Sequence, residues 1–110
     1  MIATLEKKIY PVKSGEYTRI TAELLYNSNG KYYYISINPE KIERRANYST
    51  VTVIPAECIA YKLQTVTRRT KKQDRLALAD FSALADTFAS KKAKSIGVEL
   101  EAQKNVTRKS

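Results

Sequence analysis

The chain has 110 residues, with 20 Lys and Arg against 11 Asp and Glu, one cysteine and no histidine. This length fits one small domain, and a composition of 43% hydrophobic and 28% charged residues is typical of a folded protein. The lack of histidine excludes His-dependent catalysis, and a single cysteine excludes an internal disulfide and the usual zinc ligand sets.

The apolar runs of the sequence are only a few residues long, far shorter than a membrane span. Residues 1–13 carry charges where a secretion signal needs an apolar stretch. We therefore expect a soluble, cytoplasmic protein with no membrane partner. Cys58 has apolar neighbours and is expected to be a small core residue rather than a reactive thiol.

The first half of the chain predicts β-structure. Residues 2–12 are expected to form an edge strand, because Pro11 is tolerated at an edge. Residues 17–27 alternate in polarity as a half-buried strand does. Asn29-Gly30 predicts a two-residue type I′ turn, because both residue types tolerate positive φ. Residues 31–38 then return as the partner strand, which Pro39 is expected to end.

The middle of the chain is less certain in type. Residues 40–47 are polar and predict a connection, and the β-branched residues 48–54 predict another strand. Residues 55–66 allow two interpretations. Pro55 followed by Glu57 favours a helix, whereas the alternation that runs from Ile59 to Thr65 favours a strand, and the helix is slightly preferred. Residues 67–75, "TRRTKKQDR", predict a basic connector.

The best-defined helix covers residues 76–94. Leu78, Phe81, Ala85 and Phe88 recur at spacings of three and four, with Leu84 beside them. Ser95 and Gly97 are expected to end it, and residues 98–110 to form a polar, basic tail after a single domain of residues 1–97. The fold class is thus predicted as α+β: an antiparallel sheet of three to five strands with a C-terminal helix covering one face.

Three consecutive tyrosines follow the hairpin turn, and the register decides where each ring points. A turn at Asn29-Gly30 pairs Tyr26 with Tyr33. The residues on one face are apolar and should contact the helix: Ile20, Ala22, Leu24, Tyr26, Tyr33, Ile35 and Ile37. The other face is mostly polar: Arg19, Thr21, Glu23, Leu25, Asn27, Tyr32, Tyr34, Ser36 and Asn38.

Charge and aromatic residues together suggest nucleic acid as the partner. Residues 61–110 hold 12 basic and 5 acidic residues, which favours a polyanionic partner. Tyr32 and Tyr34 could stack on unpaired bases while basic side chains contact phosphates. We therefore expect a non-catalytic protein that binds nucleic acid, preferably single-stranded DNA or RNA. The candidate contacts are Tyr32, Tyr34, Arg19, Lys31, Arg44, Arg45, Arg68, Arg69, Lys71 and Lys72.

Two further interpretations remain open. The protein could be a small basic adaptor or inhibitor that binds another protein, and the two tyrosines could pack across strands or beneath a second subunit. A homodimer is expected, because a short chain with an exposed aromatic face gains from burying more surface. An enzyme is not expected, since no group of acidic residues forms a catalytic pattern, and no cofactor or metal site is expected either.

Overall fold

A five-stranded antiparallel sheet, extended by one very short strand, packs against a single helix in the computed structural model, which describes residues 1–53 and 57–101. The order along the sheet is β4-β3-β2-β1-β6, and β5 lies end to end with β4 along the same edge of β3. The predicted α+β class is confirmed. The elements are β1 (Ile2–Ser14), β2 (Arg19–Asn27), β3 (Tyr32–Arg44), β4 (Ser49–Val53), β5 (Ile59–Thr65), α1 (Lys71–Ser95) and β6 (Glu99–Leu100).

The register of the β2–β3 hairpin is confirmed along its whole length. Tyr26 pairs with Tyr33 and Leu25 with Tyr34, and the pairing continues to Arg19 and Glu40. All seven residues expected to face the helix are buried. We call the sheet surface opposite α1 the open face; it carries Tyr32 and Tyr34, both of which are half-buried.

The predicted type I′ turn is wrong, although the register it implied is right. Lys31 has a φ of 55° and is the residue of the loop with positive φ, so Gly30 is not needed for backbone freedom. Asn27 Oδ1 accepts hydrogen bonds from the amides of Asn29 (2.9 Å) and Gly30 (3.3 Å). A Cβ on Gly30 would lie 2.5 Å from Cε1 of Tyr32. A side chain at position 30 would therefore displace the Tyr32 ring, which packs against the Gly30 backbone.

Two predicted boundaries change. Pro39 does not end β3, which continues to Arg44; on the edge shared by β5 and β4, the described pairing stops at Ile37 and resumes at Glu40, so the missing N–H of Pro39 costs no ladder hydrogen bond there. Residues 59–65 form a strand rather than the preferred helix. Pro55 lies outside the described residues.

Helix α1 begins at Lys71, five residues before the predicted start, so the second half of the basic segment 67–75 is helical. The Thr70 hydroxyl caps it by accepting from the amide of Gln73 at 3.2 Å. At the other end, Gly97 has a φ of 73° and Val98 N donates to Ala93 O, which is a Schellman cap.

The first residues of the predicted tail belong to the sheet. Glu99–Leu100 pairs with the end of β1, and the amide of Glu101 donates to Pro11 O at 2.9 Å. Residues 102–110 lie outside the described residues. Within the described part of the chain, no helix combines the length and the apolarity that crossing a membrane would require.

A line of small residues lets the helix lie close to the sheet. Its buried residues are four alanines and Phe81, spaced by four residues. The larger predicted contacts, Leu78, Leu84 and Phe88, pack partly buried at the margins of this line, where the Phe88 ring stacks on Tyr61 with centroids 4.0 Å apart. The buried residues of α1 are Ala77, Phe81, Ala85, Ala89 and Ala93.

Substitutions of Tyr33 test the register through stability. Tyr33 is fully buried and its hydroxyl donates to Asp74 at 2.5 Å. We expect Tyr33→Ala to lower the free energy of unfolding by about 3–5 kcal/mol, because a large core ring is removed. Tyr33→Phe should cost roughly 1 kcal/mol, since only a hydrogen bond is removed.

Urea unfolding measures these changes, with Tyr34→Ala as the matched control. Tyr34 is half-buried on the open face, so its loss should destabilise the fold clearly less than loss of Tyr33. The reverse order of the two alanine variants would contradict the register.

Candidate nucleic-acid interface

The aromatic end of the open face brings together two neighbouring rings and a lysine. The ring centroids of Tyr32 and Tyr34 lie 5.5 Å apart at an interplanar angle of 47°. The Lys62 ammonium, from β5, lies 5.0 Å from the Tyr32 centroid, within cation–π range. We call these three side chains the platform. Its charged and aromatic groups are those that contact bases and phosphates in single-strand binders.

The platform rings are held in place by the strands that carry them. The Tyr32 ring packs on Gly30, and Asn27 Nδ2 donates a long hydrogen bond of 3.4 Å to its hydroxyl. Tyr34 pairs across the strands with the buried Leu25, and partial burial raises the pKa of the Tyr34 hydroxyl. Both rings are therefore held by contacts within the protein itself.

A basic cleft lies at the same end of the sheet, where the β2–β3 turn meets the segment between β5 and α1. We call this open cavity of about 820 Å³ the hairpin-end cleft. The amide of Val66 donates to the carbonyl of Lys31 at 2.8 Å and so joins the two loops. Tyr26 and Gln73 place the cleft on the α1 side of the sheet, whereas the platform lies on the opposite face; Lys31, which directly precedes Tyr32, lies between the two. The lining residues of the cleft are Tyr26, Ser28, Lys31, Thr67, Arg68, Arg69, Thr70 and Gln73.

The first turn of α1 adds positive charge beside the cleft. Lys71 and Lys72 are both exposed in that turn, where Asp74 is the acidic residue. A helix N-terminus carries a partial positive charge and favours acidic side chains, so two lysines here are electrostatically unfavourable for the helix alone. Gln73 Oε1 is buried and has no hydrogen-bond partner. The local sequence thus departs from what helix stability favours.

Arg69 and Asp74 connect the cleft to the core. The Arg69 guanidinium donates to both carboxylate oxygens of Asp74, with Nε–Oδ1 at 3.0 Å and Nη2–Oδ2 at 3.0 Å. It also lies 5.6 Å from the centroid of the Tyr26 ring. The hydrogen bonds from Arg69, together with one from the Tyr33 hydroxyl, lower the pKa of the Asp74 carboxyl. Burial and the hydrogen bond to Asp74 raise the pKa of Tyr33 to about 12.

The ten predicted contact residues divide into three groups. Tyr32 and Tyr34 lie at the platform, three basic residues line the cleft, and two more lie in the adjoining first turn of α1. Arg44 and Arg45 lie at the end of the β3–β4 hairpin, beyond the last residue that β3 pairs with β2. The first group consists of Tyr32, Tyr34, Lys31, Arg68, Arg69, Lys71 and Lys72.

Arg19 forms the third group, and its guanidinium makes an ion pair within the protein. Its Nε lies 2.6 Å from Glu40 Oε1, and both side chains are largely buried. Glu40 Oε2 also accepts from the buried Thr21 hydroxyl at 3.1 Å. Near it, Asn38 donates to Glu23 at 3.3 Å. The polar side chains in this half of the open face hydrogen-bond to one another, whereas the other half is aromatic.

Sequence reasoning missed Lys62. The slightly preferred helix for its segment gives the side chain no defined relation to the sheet. The pairing of Lys62 with Tyr34 places it on the open face. The alternation from Ile59 to Thr65 was the signal that could have found it. Cys58, expected in the core, is only partly buried, and burial raises the pKa of its thiol.

Comparisons with known proteins identify no relative. The chain matches no protein-family model, and no curated protein or solved structure matches it significantly. In residues 1–53 and 57–101, no group of three or more His, Cys, Asp or Glu side chains could hold a metal ion.

Acid titration tests the Asp74 contacts. The pKa of the Asp74 carboxyl is lowered from 3.8 on folding, chiefly by Arg69. A depressed carboxyl pKa stabilises the fold above the unfolded-state value, and this stabilisation is lost as pH falls through the folded-state value. Asp86, which accepts from Lys8 and Tyr10, behaves in the same way. The free energy of unfolding should therefore decrease as the pH falls below about 4.

Asp74→Asn should reduce the slope of this decrease, because the substituted side chain does not titrate. Urea unfolding at a series of pH values measures it, and Asp80→Asn serves as the control because Asp80 is exposed on α1. Equal slopes for wild type and Asp74→Asn would show that Asp74 does not contribute to acid sensitivity.

Proposed function

We propose that this protein binds single-stranded nucleic acid at the platform and the hairpin-end cleft, acts in the cytoplasm and catalyses no reaction. The observation that carries the proposal is that one end of the sheet holds two neighbouring, half-exposed tyrosine rings on the open face and a cleft lined by Lys31, Arg68 and Arg69 on the α1 side. Stacked bases and phosphate contacts are the two interactions that sequence-tolerant single-strand binding needs.

Stacking at the platform would begin with displacement of Lys62. Its ammonium already interacts with the Tyr32 ring, so a base that takes this place exchanges a cation–π contact for base–aromatic stacking. The lysine side chain is long and flexible, and the released ammonium could contact the adjacent phosphate. The net positive charge of the chain favours this exchange, because each phosphate contact also releases condensed counterions.

Phosphate contacts in the cleft would offset the unfavourable charge at the start of α1. Lys71 and Lys72 repel the helix N-terminus in the free protein, whereas a bound phosphate attracts both. Arg68 and Lys31 line the cleft and are exposed. Arg69 contributes less, because Asp74 already neutralises its guanidinium.

Alanine substitutions at the platform test stacking. Tyr32→Ala and Tyr34→Ala should each lower the affinity for single-stranded oligonucleotides by roughly 1–3 kcal/mol, because each removes one stacking ring. Fluorescence anisotropy with labelled single-stranded DNA, single-stranded RNA and duplex DNA measures this effect. Tyr→Phe at the same positions should be nearly neutral, since stacking uses the ring rather than the hydroxyl.

The control for this experiment is Tyr48→Ala, because Tyr48 is exposed in the β3–β4 turn, away from the platform. Circular dichroism should show that every variant is folded. If both platform variants keep full affinity for all three probes, the platform is not a stacking site.

Salt dependence tests the phosphate contacts. Replacing Lys31, Arg68, Lys71 and Lys72 with Gln should weaken binding similarly for all sequences. The slope of log affinity against log salt should also become shallower by about 0.7 for each single-strand phosphate that the variant no longer neutralises. Arg44→Gln with Arg45→Gln removes two charges outside the cleft and should leave the slope nearly unchanged; Lys31→Gln with Arg68→Gln is the variant with the same charge change inside the cleft. An unchanged slope in the first variant would remove the cleft from the binding site.

Exposed apolar residues on the open face support a second candidate function, that of a small basic adaptor or inhibitor that binds another protein. Ile2 and Ile9 from β1 are 54% and 45% exposed, and Val51 and Val53 from β4 also face this side. Such residues are enriched where a partner covers a surface. If no oligonucleotide binds, co-purification with the wild type but not with Ile9→Lys would favour this function.

A further inference from the structure

Strand β4 has an open edge without the usual protection against strand pairing. All five of its residues, Ser49–Val53, are exposed, and none is charged. The strand pairs regularly with Glu40–Arg44 of β3 on one side, and in the described part of the chain no strand lies on its other side. Exposed, uncharged edges rich in β-branched residues are templates for pairing with another strand.

The opposite edge of the sheet is protected. Strand β1 carries three lysines, a proline and a register shift near Leu5, and β6 covers its end. Lysines, prolines and bulges all hinder the addition of a further strand. Pairing of β4 with β1 of another copy is therefore disfavoured. The lysines are Lys7, Lys8 and Lys13.

We infer that β4 pairs antiparallel with β4 of a second copy to form a closed homodimer with one continuous sheet. We take a second copy as the partner because the β4 edge lacks charge and can accept a strand. Every other copy of the protein in solution presents this same edge. After pairing, the remaining outer edges of the dimer are the protected β1 edges and the edges of β5, which pairs only with β3 in the described residues and carries Lys62. Because the two-fold contact uses the β4 edge of both copies, this contact closes at two copies.

Symmetry fixes the centre of this interface. A two-fold axis perpendicular to the sheet keeps the open faces of both copies on the same side, and it requires one residue to lie opposite its own copy. Placing Val51 at the centre overlaps all five residues, with Ser49 opposite Val53 of the second copy. Because Ile42 pairs with Val51 within each chain, an unbroken row of four apolar side chains then crosses the interface on the open face.

The dimer would place two platforms on one surface. The two open faces become a single sheet surface, with the Tyr32–Tyr34 pairs on either side of the axis. A nucleic-acid strand long enough to reach both would bind more tightly than a short one by virtue of effective concentration. This consequence rests on the proposed function, whereas the dimer itself does not.

The oligomeric state of the protein alone, without nucleic acid, tests the inference. Analytical ultracentrifugation over a range of concentrations should show a reversible monomer–dimer equilibrium. Val51→Lys adds a charge at an exposed position and should raise the dissociation constant of the dimer at least about tenfold, because two like charges would meet at the axis. Ser82→Lys adds the same charge to the exposed face of α1 and should leave the equilibrium unchanged.

Disulfide trapping tests the register. Opposite residues of an antiparallel pair have Cα atoms about 4.5–5.5 Å apart, which is within the range of about 4.4–6.8 Å that a disulfide accepts. Val51→Cys in a Cys58→Ser background should therefore form a covalent dimer on mild oxidation, and Ser82→Cys in that background should not. Circular dichroism verifies the fold of each variant.

Three results would overturn the inference: a wild type that stays monomeric at millimolar concentration, a dimer that survives Val51→Lys, or equal trapping of the two cysteine variants. None of these results depends on nucleic-acid binding, so the dimer and the proposed function can fail separately.

Discussion

The pairing of Tyr26 with Tyr33 determines the rest of this structure. Side chains in a strand alternate between faces, so a slip of one residue would move Tyr33 out of the core and bring Tyr32 and Tyr34 into it. The native register buries the Tyr33 ring completely and tilts it against Tyr26, with centroids 4.9 Å apart. The same pairing leaves two rings on the open face, so core and platform are set by one constraint.

The sequence predicted this register because it depends on local alternation and one short turn, both of which are visible within 20 residues. The turn type was wrong because the residue with positive φ is Lys31 and not Gly30, whose backbone contacts the Tyr32 ring, a contact that no turn pattern reveals. At residues 59–65 the helix was slightly preferred over the strand because Pro55 is a local helix signal, whereas the decisive interaction is pairing with β3, which is distant in sequence. Pro39 was expected to end β3 for the same reason: proline is a local signal, whereas β3 continues to Arg44 by pairing with β4.

The start of α1 could have been found from the sequence. Thr70 and Gln73 have the spacing of a capping box, in which a hydroxyl and an amide side chain satisfy each other's backbone groups. Only half of that exchange is made, because Thr70 accepts from Gln73 N while Gln73 Oε1 has no partner. Because residues 67–75 are rich in Lys and Arg, the segment was predicted as a connector and the capping-box spacing was not used. Lys71 and Lys72 oppose the helix dipole, and such local conflicts are expected where binding rather than folding has shaped a sequence.

The candidate site is ordered by the core on which it is built. Tyr33 lies between the two platform tyrosines in sequence and donates to Asp74, which in turn holds Arg69 at the cleft. A hydrophobic pairing inside the sheet thereby positions a basic side chain at its surface. The rings and the guanidinium adopt their positions during folding. A ligand that stacks on the rings would therefore lose little affinity to conformational entropy. This preorganisation distinguishes the platform from the exposed Arg44 and Arg45, whose side chains would have to be ordered by the ligand itself.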